Sequence, residues 1–288
     1  LGGAYAAVAL SFRFAATDGV PENKRPQALS MVMAGGVAAG VIGSQLVTHT
    51  MHLWSDKMFA ATFIAQAIVA ALAGVILFGV KLAKPLANQA YSGRPLSTIA
   101  LQPRFISAVI CGAASYMVMN FLMTSAPLAM HMHGHSQESA NLGMQWHVIA
   151  MYAPSFFTGK LIARFGAARI SIFGIILTAI SAAIGFLGEG VYHFYALLIL
   201  LGIGWNFGFL GASALVLETH KPEEKNRAQS FSDFIVFGLM AVGSFSSGGL
   251  LSAYGWHTVL WASFVPLLLA VIVLILTKKY RANFSEQA

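Results

Sequence analysis

Long apolar stretches follow one another along the whole chain, and each has about the length of a helix that crosses a bilayer. A transmembrane helix needs roughly 20 mostly apolar residues. Nine stretches meet or approach that length: 1–17, 27–48, 58–80, 105–130, 138–163, 170–187, 193–217, 229–252 and 256–277. With 57% hydrophobic and only 9% charged residues, the chain lies outside the usual composition of soluble globular domains. The sequence therefore predicts an all-α integral membrane protein that is surrounded by the lipid bilayer.

The basic residues are distributed unequally between the two sides of the predicted membrane. The formal net charge is +7, which in a soluble protein would suggest nucleic acid as a partner. Here the 17 Lys and Arg residues, except Arg13 and Lys57, fall on the side of the connection at 18–26. Because basic loops are retained in the cytoplasm, we expect that side and the carboxyl terminus to be cytoplasmic. Nucleic acid is not an expected partner.

The longest connection divides the predicted helices into two groups. Residues 81–104 contain three prolines and four basic residues, and they separate three helices from six. We therefore predict an incomplete amino-terminal bundle at 1–80, a cytoplasmic linker at 81–104, a six-helix bundle at 105–277 and a cytoplasmic tail at 278–288.

Two loops repeat one pattern, "PENK" at 21–24 and "PEEK" at 222–225. Each follows an acid at a helix end, Asp18 or Glu218, and each leads into a helix rich in small residues. One large class of transporters is built from two six-helix halves related by an axis along the membrane normal. The second loop follows four helices and the first follows only one, so we expect roughly 100 further residues, with about three helices, before Leu1.

The stretch "GKLIARFGAAR" at 159–169 carries a more specific pattern. It resembles the loop G-x-L-x-D-R-x-G-R-[RK] of the major facilitator superfamily, and the matching residues are Gly159, Leu161, Arg164, Gly166 and Arg169. Ala163 stands where the family has Asp. The wider stretch "QWHVIAMYAPSFFTGKLIARFG" at 145–166 is also similar to a subgroup of bacterial members of this family with poorly defined substrates.

This resemblance covers the whole chain, whose helices look like the fourth to twelfth of the family's twelve-helix fold. It implies two pseudo-symmetric bundles in the inner (plasma) membrane of a bacterium. The implied function is secondary transport of a small organic solute, inward or outward, by alternating access. Since the sequence has no phosphate-binding G-x-x-x-x-G-K-[ST] loop, coupling would come from a proton, another ion or the solute's own gradient. No cofactor is expected.

The resemblance also implies a gate on the cytoplasmic side, at Gly159, Arg164, Gly166 and Arg169. Glu218 could reach one of these arginines across the same surface. Asp233 begins the next helix, where a carboxylate also suits the helix N-terminus. Arg13 could pair with Asp18 or approach a solute. The alternative for these charged residues is ordinary helix capping and solvation.

Polar residues inside the membrane are costly, so those that can face a cavity are candidate site residues. The first candidate is His147, about nine residues and roughly 13 Å into its helix, where an imidazole can accept a coupling proton or hydrogen-bond a solute. The other candidates for a central pocket with aromatic walls are Gln145, Trp146, Tyr152, Tyr116, Asn120, Trp205 and Asn206. The alternative for each polar residue is a hydrogen bond between helices.

Two other classes of function stay open. The run "HMHGHS" at 131–136 places three imidazoles at alternate positions that could bind a transition metal, but an exposed loop is the simpler interpretation. Only His147 of the nine histidines lies deep, so an intramembrane metalloenzyme is the weaker hypothesis. The sequence predicts no metal site and no enzymatic activity. A non-transporting receptor or scaffold of the same fold is the remaining alternative.

Overall fold

The computed structural model describes residues 8, 11–18, 20–54, 56–57, 59–79 and 93–277. These residues form helices and short connections, and none of them lies in a β-strand. The helices are α1 at residues 11–15, α2 Arg25–Ala34, α3 Gly36–Thr50, α4 Ala60–Phe78, α5 Leu96–Ala100, α6 Pro103–Met132, α7 Gln137–Tyr152, α8 Ser155–Phe165, α9 Ala167–Ile184, α10 Val191–Leu217 and α11 Lys225–Leu276. The predicted all-α fold is confirmed.

Within the described part of the chain, six helical spans are long and apolar enough to cross a membrane. They are Glu22–Thr50, Ala60–Phe78, Pro103–Met132, Ala167–Ile184, Val191–Leu217 and Pro222–Leu276. About half of the first predicted stretch, 1–17, and half of the predicted linker, residues 81–92, lie outside the described residues, as does the whole predicted tail at 278–288. The described helices otherwise differ from the predicted stretches where one stretch forms two helices or where two stretches form one helix.

The predicted stretch 138–163 is divided into two helices at a proline. Pro154 has no backbone N–H to donate to the preceding turn. As a result α7 ends at Tyr152 and α8 begins at Ser155. Each of the two pieces is shorter than a complete transmembrane span, although together they match the predicted length.

The last two predicted stretches, 229–252 and 256–277, are joined end to end in α11. Gly255 lies between them with φ 79° and ψ 177°, a backbone conformation that is essentially restricted to glycine. α11 is therefore two helices that meet at Gly255, at the position where the sequence predicts the connection.

α10 lies at the centre of the segment 93–277, where it packs against α6, α7 and α9. Every residue of α10 from 204 to 216 is buried. The closest approach is to α9, because a Cβ atom on Gly174 would lie 2.6 Å from both Gly204 O and Gly208 Cα. Small residues allow such close contact between membrane helices. This packing places Trp205, in the middle of α10, inside the protein.

The segments before and after the predicted linker share one interface. α2 packs against α8, and α3 packs against α7. A Cβ atom on Gly159 would lie 2.6 Å from Gln27 Cα, so the backbones of α2 and α8 are in direct contact. The division into two bundles at 81–104 stays a prediction, but the described helices on either side of it are packed together.

Ion pairs gather at one end of the helices, which we call the basic face. Its partly exposed pairs are Asp18–Lys225 and Arg104–Glu218. A third pair involves the buried Glu224, which accepts hydrogen bonds from Arg94 Nε and Nη2 at 2.7 Å and from Arg94 N at 2.9 Å. This pair ties the described end of the predicted linker to the turn that precedes α11.

Candidate functional site

Four side chains from α6, α7 and α10 form an aromatic cluster: Tyr116, Tyr152, Trp205 and Phe209. Trp205 is fully buried and stacks on Phe209, with ring centroids 5.2 Å apart and planes 16° apart. Tyr116 and Tyr152 meet Trp205 edge-on, at 5.5 and 5.7 Å between centroids. Both tyrosines are only partly buried. The cluster therefore has a rigid tryptophan base and two tyrosine rings at its accessible side.

Two buried polar atoms beside this cluster have no hydrogen-bond partner among the described residues. They are the indole Nε1 of Trp205 and the amide Oδ1 of Asn120. Asn120 is one helical turn beyond Tyr116 on α6, so it lies on the same face of that helix. A buried polar atom without a partner costs about 1–3 kcal/mol. One donor and one acceptor beside the aromatic cluster thus have no partner within the described chain.

His147 occupies a separate position, fully buried between α7 and α10. Its Nδ1 lies 2.7 Å from the carbonyl oxygen of Leu198. Because a carbonyl oxygen can only accept, Nδ1 carries the hydrogen, and in the neutral ring Nε2 is an acceptor. Nε2 has no hydrogen-bond partner within the described chain. His147 therefore presents one buried lone pair to which a proton can bind.

Gln145 and Trp146, the other two candidates on α7, lie on different faces of that helix. Gln45 Nε2 of α3 donates a hydrogen bond to Gln145 Oε1 at 3.4 Å, so Gln145 lies at the interface between the two segments. Trp146 is 47% exposed. It points away from Val148, which contacts α3 at Gly40, because residues two apart in a helix do not share a face. The structure does not bring Trp146 to the aromatic cluster.

Both polar atoms of the Asn206 side-chain amide are hydrogen-bonded within the protein. Its Nδ2 donates to Met151 O and to Ser155 Oγ, both at 2.6 Å, and its Oδ1 accepts from Thr158 Oγ1 at 2.6 Å. These bonds link α10 to the break between α7 and α8. For Asn206 the structure has the arrangement that the sequence gave as the alternative, hydrogen bonds between helices.

Arg13 forms a buried ion pair below the aromatic cluster. Its Nη2 lies 2.5 Å from Asp233 Oδ1, and its side chain is 1% exposed. The guanidinium also lies over the ring of Phe209, with 4.8 Å between Cζ and the centroid. The sequence suggested Asp18 as a partner of Arg13, whereas Asp18 pairs with Lys225. Arg13 pairs with Asp233 rather than with Asp18 because a buried guanidinium needs a partner that is itself shielded from water.

A cavity of about 280 Å³ lies between this buried pair and the basic face. Its polar lining consists of Ser11, Asp18, Lys225, Asn226, Gln229, Ser230 and Asp233. Asp233 belongs to the buried pair, while Asp18 and Lys225 form the outer pair. Each pair joins the segment 11–18 to α11, so two ionic contacts hold this segment against α11.

The residues of the 159–169 pattern lie around the end of α8 at the basic face. Gly159 is the point where α2 packs on α8, and Gly166 ends α8 with φ 87° and ψ 146°. Arg164 and Arg169 are exposed. Glu218, for which the sequence suggested one of these arginines, pairs with Arg104 instead. The role of this loop in a gate stays a prediction.

Two histidines of the run 131–136 contact Glu189, and the third contacts Gln137. His133 Nε2 lies 3.1 Å from Glu189 Oε2, His135 Nε2 lies 2.7 Å from Glu189 O, and His131 Nε2 lies 2.9 Å from Gln137 Oε1. Across the residues that the structure describes, no three His, Cys, Asp or Glu side chains come together as candidate metal ligands.

Comparisons with known proteins agree with this architecture. The Major Facilitator Superfamily model matches residues 108–287. The riboflavin transporter RfnT of Brucella anthropi is 47% identical over 287 residues, 99% of this chain and 72% of that protein. The uncharacterized MFS-type transporter YddS of Bacillus subtilis is 28% identical, over 95% of this chain and 67% of that protein.

A solved structure supports the fold independently. It is that of a bacterial homologue of the iron transporter ferroportin in an outward-facing state, with a TM-score of 0.64 and 16% sequence identity. The match covers 92% of this chain and 66% of that chain. Its likeness concerns the arrangement of helices alone. With apolar membrane-spanning helices, a family match over more than half of its length and a relative at 47% identity, the chain is an integral membrane protein that belongs to the major facilitator superfamily of transporters.

Proposed function

We propose that the protein is a secondary transporter of a planar, uncharged aromatic solute of the riboflavin class. The observation that carries the proposal is the aromatic cluster with a donor, Trp205 Nε1, and an acceptor, Asn120 Oδ1, that have no partner in the described chain. The identity with the riboflavin transporter RfnT over almost the whole chain supports the same solute class.

The chemistry of the aromatic cluster suits isoalloxazine, the planar ring system of riboflavin. Ring faces of Tyr and Trp bind flat aromatic systems through stacked and edge-to-face contacts. One edge of isoalloxazine carries carbonyl oxygens beside a ring N–H. The carbonyl would accept from Trp205 Nε1, and the N–H would donate to Asn120 Oδ1. A solute without these groups would leave the two protein atoms unsatisfied, which is the strongest basis for discrimination in an apolar pocket.

Binding to the purified protein tests this assignment. Replacing Trp205 by Phe keeps an aromatic ring and removes the N–H, so we expect the dissociation constant for riboflavin to rise about tenfold, as for the loss of one hydrogen bond. The fluorescence of riboflavin, measured during titration with detergent-purified protein, reports binding. The matched control is Trp261→Phe, since Trp261 is 67% exposed. Equal affinities of wild type and Trp205→Phe for riboflavin would show that the indole N–H does not bind the solute.

We further propose that the basic face is cytoplasmic and that its ion pairs hold that side closed. Retention of basic loops in the cytoplasm supports this orientation. The Arg13–Asp233 and Asp18–Lys225 pairs link helices from either side of the predicted linker. Alternating access requires these contacts to separate when the solute is exchanged with the cytoplasm.

His147 is our candidate for a coupling proton, because its Nε2 is a buried acceptor without a protein partner in the described chain. In His147→Asn the amide can still donate to Leu198 O, but it cannot take up a proton. We expect this variant to remain folded and to transport riboflavin at a rate that is independent of pH, because an amide does not titrate. Uptake into liposomes as a function of pH is the measurement. A pH profile identical to that of the wild type would exclude His147 as the coupling group.

A further inference from the structure

The break between α7 and α8 is stabilised from a neighbouring helix. Beyond Pro154 the first turn is tightened, with Phe157 N bonded to Pro154 O at 2.9 Å. The carbonyl of Met151, near the end of α7, accepts a hydrogen bond from Asn206 Nδ2 instead. Broken membrane helices persist when neighbouring side chains satisfy the freed backbone groups. α10 therefore fixes the break in place.

A second hydroxyl reaches the same break from α2, across the interface between the two segments. Ser30 Oγ donates to the carbonyl of Ser155 and accepts from Gly159 N at 3.0 Å. Gly159 N–H and Ser155 O are also donor and acceptor of an i to i+4 bond of α8, which begins at Ser155. The Ser30 hydroxyl thus makes additional hydrogen bonds to two backbone groups that are partners within α8. Both serines are buried, at 1% and 2% exposure.

We propose that Ser30 is a latch that holds α2 to α8 and keeps the basic face closed. The contact joins helices on opposite sides of the predicted linker, and Gly159 lets their backbones meet. When α2 moves away, Gly159 N–H and Ser155 O keep each other as partners within α8. The serine hydroxyl can then bond to a carbonyl of its own helix. Opening therefore leaves no buried backbone group without a partner, which makes the latch reversible.

The latch rests on the proposed alternating access but not on the identity of the solute. The test therefore uses no solute and measures how readily a water-soluble reagent reaches a buried residue behind the basic face. Ser213 is 4% exposed and its Oγ lies 3.4 Å from Arg13 Nε. A cysteine at this position, with Cys111 replaced by serine, reports opening of the basic face through its rate of reaction with a water-soluble maleimide.

In this background we expect Ser30→Ala to accelerate labelling of Ser213→Cys roughly tenfold, because two hydrogen bonds that favour the closed state are lost. The matched control is Ser263→Ala, since Ser263 is also buried and its hydroxyl donates to Val259 O of its own helix. The control should label at the parent rate. An unchanged rate in Ser30→Ala, or an equal increase in both variants, would overturn the latch. Accelerated labelling without riboflavin transport would retain the latch and reject the proposed solute.

Discussion

Replacing Gly174 by leucine is expected to abolish the folded protein. α9 and α10 are in backbone contact at this point, and a Cβ atom on Gly174 would lie 2.6 Å from Gly204 O and from Gly208 Cα. A side chain cannot be accommodated by rotamer changes, because the obstructing atoms belong to the backbone of the central helix. The two helices would have to separate, and the small-residue contact that joins them in the membrane would be lost. Overpacking costs about 1–3 kcal/mol even where side chains can adjust.

The yield of monodisperse protein in size-exclusion chromatography measures this effect. The matched control is Gly74→Leu on α4, since a Cβ at Gly74 would meet no other helix of the described chain within 4 Å. We expect the control to give a yield close to that of the wild type and Gly174→Leu to give almost none. Comparable yields of the two variants would contradict the described packing of α9 on α10.

The second large effect is expected at the buried ion pair. In Asp233→Asn the carboxylate that faces Arg13 at 2.5 Å becomes neutral while the guanidinium stays buried. Removing one member of a buried pair costs about 3–5 kcal/mol, whereas replacing both members by apolar residues costs far less. We therefore expect Asp233→Asn to unfold at a markedly lower temperature, and Arg13→Met combined with Asp233→Leu to recover most of the loss.

Thermal unfolding of the detergent-purified variants distinguishes these cases. Glu22→Gln is the control, because the Glu22–Arg25 pair has an 87% exposed carboxylate and such surface pairs contribute less than about 1 kcal/mol. If Asp233→Asn were as stable as Glu22→Gln, the buried Arg13–Asp233 pair would not stabilise the folded protein in the way expected.

The positions of the membrane helices could be predicted because hydropathy is a local property. Each stretch of about 20 apolar residues has its preferred surroundings irrespective of its neighbours. The break at Pro154 was less evident, since α6 and α11 contain Pro127 and Pro266 without being divided there. What fixes the break at Pro154 is Asn206 on another helix, and the linear sequence does not reveal that contact.

The candidate site was predictable only in part. Tyr116 and Trp205 could be placed together because aromatic residues beside polar ones at similar depth are uncommon in these helices. Depth does not reveal which way a side chain points, however, and helices that are apolar on all sides have no periodicity that identifies their inner face. Trp146 could therefore not be separated from the cluster, and Phe209 was missed although it lies one turn from Trp205. The partners of Arg13 and Glu218 depend on tertiary packing in the same way.

Movement of riboflavin across a membrane tests the central claim most directly. The intact protein, purified and reconstituted in liposomes, is given labelled riboflavin outside, and the label inside is followed with time. We predict entry well above that in protein-free liposomes, suppressed by excess unlabelled riboflavin and reduced in Trp205→Phe but not in Trp261→Phe. Entry no faster than in protein-free liposomes would contradict transport of this solute, and binding without entry would favour a receptor of the same fold.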